Sequence, residues 1–160
     1  MKSKLCVLLL AICSTVGCSM KTRLYPVQGP LSAQTPVPVL LGKIAGKVNP
    51  ETVSVVLTDG EVCQGRWIFV NNKRPAQGPN SVTAPSAEMS GVWDSIYGPN
   101  YYTSHVVGSK YYAQALAPGN RGTTLHLELN GFEKGVAQDN KGNIYKLVLE
   151  PRRGSPISPL

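Results

Sequence analysis

The chain has 160 residues, with 16 Lys and Arg against 9 Asp and Glu for a formal net charge of +7, and is 42% hydrophobic and 16% charged. That balance excludes an intrinsically disordered chain, and the length suits one domain large enough to bury a core. The basic residues are scattered, with no run longer than a pair, which excludes the concentrated basic face of a nucleic-acid-binding module.

Taken in chain order, the first feature is Lys2 and Lys4 followed by an apolar stretch over residues 5–12 and then small residues. This is the charge, core and cleavage order of a signal peptide. The apolar part is well short of the ~20 residues that a helix needs to cross a bilayer. It addresses the chain without spanning a membrane.

At the expected cleavage site, Thr15, Val16, Gly17 and Cys18 resemble the bacterial lipobox. Thr15 stands where that motif usually has Leu, and an ordinary secretory signal is the alternative. The resemblance implies that residues 1–17 are removed and that Cys18 carries lipid, so that a lipid bilayer is the chain's first partner. Ser19, where retention at the inner membrane would call for Asp, implies the outer membrane with the domain facing the periplasm. Several acyl chains together hold firmly, because each buried methylene contributes ~0.8 kcal/mol. Without Lys2 and Lys4, 14 Lys and Arg remain against 9 acidic residues, a net charge of +5.

Residues 18–41 read as the lipidated cysteine and a proline-rich tether, with Pro26, Pro30, Pro36 and Pro38 favouring an extended spacer. Leu24, Tyr25, Val27 and the apolar run 37–41 exceed what a free linker needs, so part of this segment is expected to pack along the domain.

Residues 42–150 read as an all-β domain. Residues 53–58, the turn Asp59-Gly60 and the return through residue 70 form the clearest hairpin, since both turn residues tolerate positive φ. A two-residue turn would set Val56 opposite Cys63, and Gly65 signals a bulge or a close backbone approach. Leu125, Leu127 and Leu129 alternate with His126, Glu128 and Asn130, which predicts a half-buried strand with His126 facing solvent. Asn130-Gly131 turns it back, and a further turn over 139–143 leads into an apolar strand at 144–149. These hairpins predict an antiparallel meander forming a small barrel or sandwich.

The middle of the domain differs in composition. Residues 71–90 read as a loop, its first part rich in proline. Trp93, Tyr97, Tyr101, Tyr102, Tyr111 and Tyr112 then place six of the chain's eleven aromatics within twenty positions. Tyr and Trp offer a flat apolar body with a polar tip, which suits a peptide, a protein or a glycan. Trp93, Tyr97, Tyr101 and Tyr102 are therefore the candidate ligand-binding residues. The alternative is that 111–117 is a strand whose tyrosines serve packing.

Catalytic and metal signatures are weak. Cys63 is the cysteine left over once Cys18 is lipidated, and packing in a strand is the favoured reading over a nucleophile. Asp94 and His105 lie eleven positions apart without a supporting motif. The 139–143 turn lacks the further oxygen ligands of a calcium loop, so neither a metal nor a cofactor is expected. Segments 93–98 (WDSIYG) and 135–145 (GVAQDNKGNIY) resemble those of small uncharacterised proteobacterial envelope lipoproteins, a resemblance that carries no activity. Residues 151–160 read as a disordered basic tail. The expected function is a membrane-anchored envelope lipoprotein, a non-enzymatic binding or structural module that engages a protein, peptide or glycan and no nucleic acid. The alternative is a hydrolase-like envelope enzyme with a dispersed site around Asp94, His105 or Cys63.

Overall fold

The computed structural model describes residues 19–45, 52–70, 87–109, 111–131 and 133–150. The expected signal segment 1–17, the lipidation candidate Cys18, most of the expected loop 71–90 and the expected tail 151–160 lie outside them. Eight antiparallel strands form a closed barrel in sequence order: β1 (Ser19–Gln28), β2 (Leu40–Ala45), β3 (Thr52–Val56), β4 (Val62–Val70), β5 (Tyr112–Pro118), β6 (Thr124–Asn130), β7 (Lys134–Asp139) and β8 (Ile144–Leu149). The expected all-β meander is thus a barrel rather than a sandwich. It closes where β1 pairs with β8, Leu24 opposite Leu147.

The proline-rich segment is not a tether. Residues 19–28 alternate Thr22, Leu24 and Pro26 inward against Lys21, Arg23 and Tyr25 outward, and they pair on both edges, with β2 and β8. Proline lacks the N–H a ladder needs. Pro26 sits where the β1–β8 register shifts, so the missing donor falls at an irregularity. Pro30, Pro36 and Pro38 lie in the connection between β1 and β2.

The interior follows from period-two alternation and from matching large side chains to small ones. Trp67 pairs beside Ala115, and Tyr145 beside Ala137, all fully or almost fully buried. Leu24, Leu40, Val53, Val55, Leu125 and Leu127 complete the centre of the core. The outward positions Lys21, Arg23, Lys43, Gln64, Arg66 and Lys146 are exposed. Apolar side chains, among them Leu41 and Leu116, also stand outward and exposed, so the outer wall is mixed while the interior is packed with apolar side chains. Among the described residues, no helix is long and apolar enough to cross a membrane.

At the end opposite Ser19, three hairpins share one loop form. Three residues finish in a glycine with positive φ: Gly60 at +80°, Gly122 at +95° and Gly142 at +84°. The backbone N–H of Leu57, Gly119 and Asp139 donates to the carbonyl of Glu61, Thr123 and Asn143 respectively. A type I turn closed by a left-handed residue suits the twist of the flanking strands. This three-residue loop corrects the expected register. Cys63 pairs with Val55, and Val56 pairs with Val62. Gly65 marks a close approach without a bulge: a Cβ there would stand 2.2 Å from the Leu116 carbonyl oxygen, and the β3–β4 pairing runs through it in step.

The second departure from expectation is helical. Residues 87–89 form a 3₁₀ turn, Ser90–Tyr97 the helix α1, and Tyr102–Val106 a π-helical segment. This layer lies against the outer wall. Met89, Val92, Trp93, Tyr102 and Val106 pack with Tyr112 of β5 and Val136 of β7 in a second core cluster. The expected strand over 111–117 is β5, with Tyr112 buried and Tyr111 exposed, but Tyr112 faces the helical layer rather than the barrel interior.

Candidate binding surface on the outer wall

The helical layer owes little to local signals. Met89 occupies the N-cap of α1 without a side-chain cap, and Gly91 falls in its first turn. An eight-residue helix is marginal alone, so tertiary packing holds it. The turn that follows is shaped by Gly98 (φ +105°) and Asn100 (φ +63°). Asp94 fixes it, accepting the backbone N–H of Tyr102 at 2.8 Å and of Asn100 at 3.3 Å.

The candidate ligand-binding residues divide into two pairs. Trp93 is fully buried, and its indole N–H donates to Oε2 of Glu128 at 2.6 Å. Tyr102 is also buried. Both hold the layer to the barrel and offer no face to a ligand. Tyr97 and Tyr101 are half-buried, with ring centroids 4.9 Å apart. The Tyr97 hydroxyl donates to the carbonyl of Gly135 at 3.2 Å.

Three neighbours complete the surface, of which the sequence singles out only His105, as a candidate of the alternative catalytic set. His105, exposed, stacks on Tyr101 with centroids 4.5 Å apart and planes 5° from parallel. The Lys134 ammonium stands 5.6 Å from the Tyr97 ring and 5.1 Å from the Tyr101 ring, and that of Lys146 lies 5.7 Å from Tyr97. The ring quadrupole attracts each ammonium, by about 0.5–1 kcal/mol at exposed sites. The arrangement is an aromatic ladder flanked by two positive charges. Lys134 and Lys146 carried no signal in a linear reading, because β7 and β8 reach the ladder only once the barrel has closed.

His126 and Glu128 do point out of the barrel as the alternation predicts, but solvent is not what they meet. Glu128 is fully buried under the helical layer, and His126 keeps only part of its surface exposed. Burial holds the His126 imidazole below its ordinary value.

The dispersed catalytic set is not brought together. Cys63 points into the barrel, whereas Asp94 and His105 belong to the layer outside it. The Cys63 thiol is pushed up to about 11, first by burial and then by the nearby Glu61 carboxylate. A thiol held protonated is a poor nucleophile.

Cys63 lies beneath a polar network that closes the barrel end. The three residues that follow the loop glycines, Glu61, Thr123 and Asn143, all turn inward and are buried. Glu61 accepts the Thr123 hydroxyl at 2.5 Å and the backbone N–H groups of Arg121 at 2.7 Å and Thr123 at 3.1 Å, with the Lys141 ammonium 3.7 Å away. These donors, the Thr123 hydroxyl foremost, hold its carboxyl below the usual carboxylate value. Asp139 accepts the Tyr145 hydroxyl at 2.6 Å and the side-chain amide of Asn143 at 2.8 Å. Asn143 in turn accepts the backbone N–H of Leu31 from the β1–β2 connection. All four connections at this end are joined. The Asp139 carboxylate thus serves its own hairpin, while the side-chain oxygens of Asn140 and Asn143 accept the backbone N–H groups of Thr124 and Leu31, and no cluster of three or more metal-ligating side chains occurs among the described residues.

No family model, no curated protein and no solved structure matches this chain.

Proposed function

We propose that the chain is a membrane-anchored lipoprotein of the bacterial outer membrane, held by lipid on Cys18 and working as a non-enzymatic binding module. Its ligand surface is the outer wall around Tyr97, Tyr101, His105, Lys134 and Lys146. The observation that carries this reading is the half-exposed Tyr97–Tyr101 pair with two ammonium groups over its rings. Partly covered tyrosines bury apolar area at low conformational cost, and the lysines add attraction for an anionic group. Such a surface suits an acidic peptide segment or an acidic envelope glycan. The separation of Cys63 from Asp94 and His105 supports binding over hydrolysis, as does an interior occupied by Trp67, Tyr145 and leucines.

The test uses the full lipoprotein in intact envelopes, crosslinked and recovered together with its bound protein or glycan. Tyr101→Ala and Lys134→Glu are expected to lose the recovered ligand, while Cys63→Ala, inside the barrel, retains it. Recovery unchanged in both surface variants would overturn the assignment of this wall.

A further inference from the structure

We infer that the barrel end carrying Ser19 is a membrane-docking surface, seated on the same bilayer that receives the Cys18 lipid. The inference rests on the anchoring proposed above and adds an orientation to it. Its basis is chain length. With residues 19–28 built into β1, nothing separates Cys18 from the barrel, and adjacent Cα atoms are about 3.8 Å apart. A lipid on Cys18 therefore brings the rim of the barrel to the headgroups, where a twenty-residue spacer would have kept it away.

Antiparallel order decides which residues share that rim. Strands alternate in direction, so the ends of β2, β4, β6 and β8 and the starts of β3, β5 and β7 lie with Ser19. Tyr111, one residue before β5, is 68% exposed, and Val107 is 51% exposed. Tyr111 is tied directly to the Asn130–Gly131 turn at this end, and Val107 lies between His105 and Ser109, both of which bond the Asn130 side chain. The Gly131 N–H donates to the Tyr111 carbonyl at 2.7 Å, and the Asn130 side-chain amide donates to the His105 carbonyl at 2.9 Å. Of the exposed lysines at this end, Lys134 opens β7, and Lys21 lies in β1, four strands from β5 around the barrel. Among the described residues, the acidic groups of the rim are Glu133, which is exposed, and Glu150, which pairs with Arg23. An exposed tyrosine with an apolar body and a polar tip, on a rim that also carries exposed lysines, is the composition of a bilayer interface. The occupant is a lipid surface with anionic headgroups.

The experiment takes the lipidated protein from membranes and reconstitutes it in vesicles of zwitterionic and anionic phospholipid. A fluorophore is attached at Val107→Cys in one sample and at Thr58→Cys, on the opposite end, in another; buried Cys63 stays unlabelled. Headgroup-level nitroxide lipid is expected to quench the label at 107 and leave that at 58 unchanged, with Tyr111→Glu reducing the quenching. Equal quenching at both positions, with fatty acid present on Cys18, overturns the docking surface and leaves the anchor standing. Absence of fatty acid on Cys18 overturns both readings.

Discussion

The indole N–H of Trp93 and the carboxyl of Glu128 meet at 2.6 Å under a layer that excludes water, and this contact joins the helical layer to the barrel wall. Removing one partner of a buried hydrogen bond leaves the other to bear its desolvation, about 1–3 kcal/mol. Glu128→Ala is therefore expected to lower stability by about that amount in urea unfolding. Glu128→Gln, which keeps an acceptor, should lose less. Equal losses would show that the contact contributes through packing alone.

Trp93→Ala removes the largest side chain of the outer cluster, and such truncations cost about 3–5 kcal/mol. Amide exchange should rise across 90–106 while the barrel strands stay protected. Uniform acceleration across the whole chain would mean that layer and barrel unfold as one unit.

Gly65 admits no side chain, because a Cβ would lie 2.2 Å from the Leu116 carbonyl oxygen and 2.9 Å from the Ala117 Cα, all of it backbone. Gly65→Ala is expected to cost about 3 kcal/mol or more, the upper end of overpacking. Gly91→Ala has open space instead and lies within α1. It should stabilise by a few tenths to about 1 kcal/mol. Thermal midpoints moving in the same direction for both would contradict this.

Glu61 sets an acid limit. Its folded carboxyl titrates below the ordinary 4.5, so its contribution is complete above that value. It is lost as pH falls through the lower folded value. Stability followed by denaturant melts from pH 7 down to pH 3 should fall at the acid end, and Glu61→Gln should flatten that fall. An unchanged profile in the variant would exclude Glu61 as its source.

Cys63 sets the opposite limit. Its thiol titrates near 11 in the fold against an ordinary 9.0, so the contribution is complete below 9 and fades as pH rises through 11. At pH 8 a thiol reagent should leave folded protein unmodified and label it at once in denaturant. Rapid labelling of the native protein would contradict the burial.

Much of the barrel was legible in the chain. Asp59-Gly60 and Asn130-Gly131 announced turns because few residues tolerate positive φ, and the leucines at 125, 127 and 129 announced β6 by period two. The first strand was hidden by its prolines, although Thr22, Leu24 and Pro26 already alternate with Lys21, Arg23 and Tyr25. Density of proline was the wrong measure, since one proline at a register shift is compatible with a strand and three others fall in a loop. The helix was not legible: eight residues without a side-chain cap carry no terminal signal, and their stability comes from β5 and β7. The candidate surface was half legible. Aromatic density singled out Tyr97 and Tyr101, but burial of Trp93 and Tyr102 and arrival of Lys134 and Lys146 depend on a layer that local pattern does not encode.

The closing pair of strands has a consequence for how the molecule is made. Thr22 on β1 donates to the Val148 carbonyl on β8, 126 positions later. Contacts of such long range form late, because most of the chain must be ordered before its ends can meet. Until β8 arrives, β1 and β7 each present an unpaired edge, the kind that templates association between chains. The last strand is therefore a seal, and a chain ending before Ile144 leaves both edges open at once.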